Sequence, residues 1–200
     1  MGELRVTGGE FRGRRLRTPR GDATRPSSDQ YRGSVMTLLR ERLEGARVLD
    51  LFAGSGALGI ECLSRGAASV VAVERARPAL EALRRNSEDL ALDRARFRIV
   101  AADAYRAAPP GPFDVVFVAP PYPHFTSEGQ RVRRLVEEQV AALAEGGVAV
   151  VQAGTGDFHA EGLAGVAVDD ERRYGRTTFW FLVRAGASAG AADAPAPPLS

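Results

Sequence analysis

Apolar and polar positions alternate along this chain with two spacings, one of period two and one near 3.6 residues. Residues 4–8 and 11–17 alternate on either side of Gly8-Gly9-Glu10, which predicts a small hairpin or extended arm with little core of its own. Thr24-Arg25-Pro26-Ser27-Ser28-Asp29 supplies turn and cap residues ahead of a helix through Tyr31, Val35, Leu38, Leu39 and Leu43 that ends near Gly45. That helix is expected to lie over the entrance to the domain beyond it. From residue 46 the two spacings take turns. Strands are predicted over 48–52, 70–74, 97–101, 115–118 and 148–152, and helices over 57–64, 78–90 and 129–144. Segments 166–168 and 177–183, separated by Arg173-Tyr174-Gly175-Arg176, predict a closing antiparallel pair.

Strand and helix in alternation imply a doubly wound α/β architecture, a mostly parallel sheet covered by helices on both faces. The expected organisation is a basic arm and helix over residues 1–45, one α/β domain over 46–184 and a tail over 185–200. The tail is mostly Ala, Gly, Pro and Ser and is expected to be disordered. A chain of 200 residues, 44% of them hydrophobic, holds the core of one ordinary domain with attachments. It has no long apolar run and no apolar signal core, so a soluble, cytoplasmic protein with no membrane partner is expected. Cys62 is the single cysteine, which excludes disulfides and multi-cysteine zinc sites and predicts an inert buried thiol.

Charge changes the picture only when it is divided along the chain. The net charge is +2, yet residues 1–32 hold eight arginines against four acidic residues, a local +4 that leaves about −2 for the rest. A basic arm on a mildly acidic body points to a polyanionic partner held at one end, with Arg12, Arg14, Arg15 and Arg25 as phosphate contacts. All basic side chains are arginine, which weakens any argument from residue type alone.

The candidate chemistry lies at strand ends. Asp50-Leu51-Phe52-Ala53-Gly54-Ser55-Gly56-Ala57-Leu58-Gly59 follows the first strand of the domain and opens a helix, where a doubly wound sheet receives a nucleotide-like ligand. Gly54 and Gly56 permit positive φ and close approach of the ligand. The spacing also fits a dinucleotide fingerprint, with Glu74 about 20 residues on for a ribose hydroxyl, so the loop alone does not separate NAD from S-adenosylmethionine. Two features favour the methyl donor. Asp50 ends a strand where a carboxylate suits a cationic amino or sulfonium group, and Asp103-Ala104 ends another where it suits an adenine amine. Phe52, Ala53 and Ala104 complete the expected cofactor set.

The strand over 115–118 runs into Ala119-Pro120-Pro121-Tyr122. Two prolines fix an extended loop that aims the Pro120 carbonyl at an exocyclic amine and the Tyr122 ring at an extruded base. His124 is expected at the rim of this loop, and His159 in solvent. Neither shows metal-ligand spacing, and no metal is expected.

Gly8-Gly9-x-x-Arg12-Gly13-Arg14-x-Leu16, Thr24-Arg25-Pro26-Ser27-Ser28-Asp29-x-x-Arg32, the loop 50–61, Leu63-Ser64-Arg65-Gly66-Ala67-Ala68 and Arg173-Tyr174-Gly175 together resemble the RsmD family over residues 4–183. The resemblance implies a class I, Rossmann-like methyltransferase with a seven-stranded-type sheet, a monomer that uses S-adenosylmethionine to methylate a guanine N2 in small-subunit (16S) ribosomal RNA. Its partner would be that RNA or the small ribosomal subunit. It implies catalytic roles at the positions of Ala119, Pro120 and Tyr122. The family carries Asp where this chain has Ala119, and a Glu where it has Gly33. Alanine cannot accept a hydrogen bond from the target amine, a loss worth about 100- to 1,000-fold in rate by analogy with oxyanion-hole deletions. Ala119 keeps open a cofactor- and RNA-binding ribosome assembly factor without catalysis, and the glycine spacing with Glu74 keeps open a nicotinamide-dependent oxidoreductase.

Overall fold

The computed structural model describes residues 4–19 and 29–186. Arg25 and the tail beyond residue 186 lie outside the described residues. A hairpin of β1 (Leu4–Arg5) and β2 (Arg15–Leu16) comes first, followed by α1 (Asp29–Leu38) and α2 (Arg40–Leu43). The main body is β3 (Arg47–Leu51), α3 (Ala57–Ser64), β4 (Ser69–Glu74), α4 (Arg77–Asp89), β5 (Phe97–Ala101), β6 (Phe113–Val118), α5 (Pro123–Ser127), α6 (Gly129–Ala141), β7 (Leu143–Gly154), β8 (Val166–Tyr174) and β9 (Thr177–Arg184).

The seven strands β3–β9 form one sheet in the order β5-β4-β3-β6-β7-β9-β8. Strands β5, β4, β3, β6 and β7 are parallel, and β9 and β8 are antiparallel additions at one edge. Period-two alternation sends Val48, Val70, Val115 and Phe117 to one face, where they pack with α1–α4. Leu49, Leu51, Val116 and Val118 face the other way, against α6. The expected α/β sheet is thus present.

Residues before β3 do not stand apart from this body. Leu4, Val6 and Leu16 of the hairpin and Val35, Met36, Leu39 and Leu43 share the core of α3 and α4. A fully buried ion pair joins them: Arg32 meets Glu61 of α3 at 3.0 Å. Glu61 also accepts from the Thr7 amide at 2.6 Å and pairs with Arg65 at 3.3 Å. At Gly9, with φ +77°, a Cβ would lie 1.7 Å from the Ser64 carbonyl, so glycine lets the hairpin turn settle on the end of α3.

Several boundaries differ from expectation, three of them with a bearing on the packing. The first helix breaks at Leu39, and Leu38 is exposed. The helix predicted to residue 144 stops at Ala141, because Leu143 pairs with Phe113 and gains burial as the start of β7 that the helical propensity of its alanine-rich surroundings does not match. Strand β8 runs on to Tyr174, which pairs with Thr177 across the turn. Among the described residues no helix is long and apolar enough to cross a membrane, and no acidic, His and Cys group could hold a metal ion.

Candidate active site

Strand order reverses direction between β3 and β6, and ligands of doubly wound sheets sit at the carboxyl ends of such a pair. Phe52 leaves β3 at φ +64°, a strained value for a bulky residue. This turns the chain into the glycine loop. Gly54 (φ +58°) and Gly56 (φ +81°) are both left-handed, but their missing side chains do different work. A Cβ on Gly54, which lines the cavity described below, would meet only the Phe52 carbonyl, at 4.0 Å, whereas one on Gly56 would lie 2.4 Å from Leu83 of α4. Gly56 therefore serves packing and not ligand approach. Gly59 does likewise, since its Cβ would strike Val70 at 2.8 Å.

Polar side chains hold this loop in place. The Glu74 carboxylate accepts from the Gly54 amide with one oxygen and from the Arg75 and Ala76 amides with the other, each at 2.8 Å. Asp50, 1% exposed, accepts from the Gly59 amide at 3.0 Å, and its second oxygen has no partner. Burial raises its pKa to about 7, with the nearby Glu74 charge adding to the shift. Asn86 of α4 is fully buried. It accepts from the Arg17 amide at 2.7 Å and donates to the carbonyls of Arg17 (3.0 Å) and Ser55 (2.8 Å), so one amide clamps the N-terminal segment to the glycine loop.

Above the loop opens a cavity of about 270 Å³, lined by Pro19, Phe52, Gly54, Val73, Glu74, Arg75, Ala76, Pro78, Ala79, Ala102, Ala104, Ala119, Pro121 and His124. Arg75 reaches Asp103 at 3.2 Å, and Asp103 also accepts from the Tyr105 amide. An aromatic group closes one side. Phe52 meets Tyr105 edge-on at 5.1 Å and His124 at 6.3 Å, and Arg131 stands 4.5 Å over the Tyr105 ring. The Tyr105 hydroxyl lies 3.1 Å from His124 Nδ1, and His124 Nε2 lies 3.9 Å from Glu128. Burial and the Glu128 charge push the Tyr105 pKa up to about 12. Both His124 nitrogens thus face a partner, which suits a positioned wall more than a base.

The acceptor loop is not extended throughout. Tyr122 is in the α region and opens α5, a short helix that the sequence pattern does not predict. Pro120 is buried, Tyr122 is exposed, and the Tyr122 hydroxyl pairs with that of Thr177 at 3.1 Å.

Of the residues singled out from sequence, Phe52, Gly54, Glu74, Ala104 and Ala119 come together around the cavity. Asp50 lies under the loop, Ala53 and Gly56 are buried within it, Asp103 stands beside the cavity paired with Arg75, and Pro120 and Tyr122 flank the wall that Ala119 and Pro121 form. Arg12, Arg14 and Arg15 are exposed on the hairpin, with Arg14 donating to the Asp89 carbonyl at the end of α4. His159 is exposed, and the Cys62 thiol is buried with its pKa raised by desolvation. Pro19, Tyr105 and Asn86 were missed. Asn86 carried a signal, since a polar residue there shares the helix face of Ala79, Ala82 and Leu83.

Residues 4–183 match the family described as Conserved hypothetical protein 95. The chain is 36% identical over 146 residues to Ribosomal RNA small subunit methyltransferase D of Escherichia coli (strain K12), covering 73% of this chain and 69% of that protein. It is 32% identical over 140 residues to the protein of the same name from Haemophilus influenzae, covering 68% and 72%. Among solved structures, Escherichia coli yhhF superposes with a TM-score of 0.77 at 30% identity, covering 92% of this chain and 98% of that one.

Proposed function

The chain belongs to the RsmD family, the one described as Conserved hypothetical protein 95, and from that membership we infer that it methylates ribosomal RNA of the small subunit. We propose that S-adenosylmethionine is the donor and a guanine N2 the acceptor. The observation that carries this reading is convergence: the glycine loop and the acceptor loop line one cavity, through Gly54 on one side and Ala119 and Pro121 on the other. Methyltransferases among the relatives set aside the nicotinamide-dependent oxidoreductase.

The chain's residues fit this donor. Space at Gly54, the unpartnered oxygen of Asp50 and carboxylates at the ends of β4 and β5 suit a ligand with a cationic end and donor groups. Gly54 would let the ligand lie against the backbone, Glu74 would take the ribose hydroxyls, and Asp103-Ala104 would meet the adenine edge. When bound, S-adenosylmethionine supplies an electrophilic methyl group for direct displacement by nitrogen. Because that methyl is already activated, the chain contributes mainly alignment. The Pro120 carbonyl accepts one amine hydrogen, Tyr122 offers a face for the extruded base, and Phe52, Tyr105 and His124 wall the cavity against water. Arg12, Arg14 and Arg15 hold phosphates, with Arg25 added from outside the described residues.

One observation favours a second reading, a binder without catalysis: Ala119 offers no acceptor, and His124 Nδ1 is already paired with the Tyr105 hydroxyl. Labelled S-adenosylmethionine and unmodified small ribosomal particles decide between them, with Ala119→Asp run beside the natural sequence. Slow transfer by the natural chain and fast transfer by the variant is the expected result. Transfer by the variant alone establishes the binder, and transfer by neither, with the cofactor bound, overturns the substrate.

A further inference from the structure

The tip of the β8–β9 hairpin stands beside the acceptor loop with a braced backbone and two outward arginines. Tyr174 and Thr177 form the last cross-strand pair, and Gly175 turns the chain at φ +59°. Tyr31 of α1 stacks on Tyr174 at 5.3 Å, and Tyr174 meets Phe179 edge-on at 6.0 Å. A Cβ on Gly175 would lie 3.3 Å from the Tyr31 hydroxyl, so the turn is closely covered on that side. The Thr155 amide donates to the Arg176 carbonyl at 3.1 Å, and the Thr155 and Thr178 hydroxyls pair at 3.0 Å. Finally, the hydroxyl pair of Tyr122 and Thr177 ties the tip to the loop expected to carry the target base.

None of this bracing uses the Arg173 or Arg176 guanidinium. Both side chains are exposed. Arg173 reaches only Glu171, at 3.9 Å with 63% of its side chain in solvent, and Arg176 forms no ion pair among the described residues. The neighbouring Arg172, in contrast, is taken up by Asp170 at 2.9 Å. Two uncommitted cations on a stiff turn, bonded to the acceptor loop through Tyr122, have the chemistry of a phosphate clamp.

We propose that Arg173 and Arg176 bind the RNA backbone next to the base presented to Tyr122, making the hairpin tip a contact separate from the N-terminal arm. The inference rests on the ribosomal RNA reading above. A bound strand would run past Tyr122 with its sugar-phosphate chain turned toward the tip, and the brace formed by Tyr31 and Tyr174 would keep the two arginines in place without any ordering of the turn. Such contacts are indifferent to sequence and fix register.

Binding of the full chain to unmodified small ribosomal particles, and to protein-free small-subunit RNA, across a salt series tests this without requiring activity. The variant that replaces both arginines (Arg173→Ala with Arg176→Ala) is expected to bind about tenfold more weakly at moderate salt, and the slope of log K against log salt is expected to shrink by about 1.4 for two lost single-strand phosphate contacts. Arg172→Ala should leave both quantities unchanged, and S-adenosylmethionine affinity by calorimetry should match in all three proteins, which certifies the fold. Equal binding and equal slope in the double variant overturn the clamp while the function stands. A loss seen with particles but not with protein-free RNA also overturns it, since the contact is then to a ribosomal protein. If the natural chain itself binds neither particles nor RNA, the proposed function falls and the clamp with it.

Discussion

The glycine loop and the acceptor loop leave adjacent parallel strands, β3 and β6, and face the same cavity, yet they are held by different means. The glycine loop rests on polar groups, the buried Asp50 and Asn86 and the half-buried Glu74, each accepting from or donating to its backbone or to the helix it opens. The acceptor loop has prolines, a 3.5 Å contact from the Ala119 amide to the Leu51 carbonyl, and hydroxyl contacts at its margin. One loop is wired into the core before any ligand arrives; the other is shaped by covalent stiffness and begins with an alanine. Changes to the first should therefore appear in stability and cofactor affinity, and changes to the second in rate.

The largest expected effect sharpens that contrast. Ala119→Asp should raise methyl transfer by about 100-fold or more, by analogy with the restoration of one positioned polar group, with cofactor affinity almost unmoved in calorimetry. Next comes Asp50, whose folded pKa of about 7 exceeds the ordinary carboxylate value of 3.8. The native state holds that proton more tightly than the unfolded chain, so the ligand-free protein should lose stability as pH rises from about 4 to about 7. The loss should be on the order of 4 kcal/mol, and Asp50→Asn should flatten it in denaturant titrations at successive pH values. A stability curve with the same slope in both proteins would show that Asp50 is not the titrating group.

The paired glycines give a finer test. Gly56→Ala should cost about 2–3 kcal/mol through the Leu83 clash and the left-handed backbone, read as a lowered Tm. Gly54→Ala should cost about 1 kcal/mol in stability but weaken cofactor binding about tenfold, because Gly54 lines the cavity and a side chain there narrows the ligand's approach to the backbone. Equal behaviour of the two variants would erase the division of labour between them. Smallest of all, Tyr122→Phe removes a hydroxyl from an exposed pair and should change stability by less than about 1 kcal/mol, with transfer slowed a fewfold as the ring loses its tether to Thr177.

Much of this architecture was legible because the chain writes it locally. Helix α3 and strand β5 follow the apolar spacing to the residue, and the glycine loop falls where the motif put it. The cavity joins Phe52, Gly54, Glu74, Ala104 and Ala119, all named from sequence, because parallel strands bring their ends to one side. What stayed hidden depends on distance along the chain or on rare conformations. Asn86 finds partners 69 and 31 residues away, which no local spacing encodes. Phe52 adopts a φ that bulky residues avoid, so nothing in its type foretells it. Helix α5 is five residues long, too short for periodicity, and begins within a run of prolines that reads as extended. Residues 143–144 favour helix by type and become strand through the partner supplied by Phe113.

Asn86 also bears on how separable the parts of this protein are. A hairpin with three exposed arginines, Arg12, Arg14 and Arg15, invites transplantation as a portable RNA handle. Its exit strand, however, plugs its own amide and carbonyl into a side chain that simultaneously steadies Ser55. Cutting the handle away would strand a buried carboxamide with two unmet bonds beneath the nucleotide loop, and grafting it onto a sheet lacking that asparagine would strand the backbone instead. The hairpin and the loop are consequently one mechanical unit, joined through a single carboxamide.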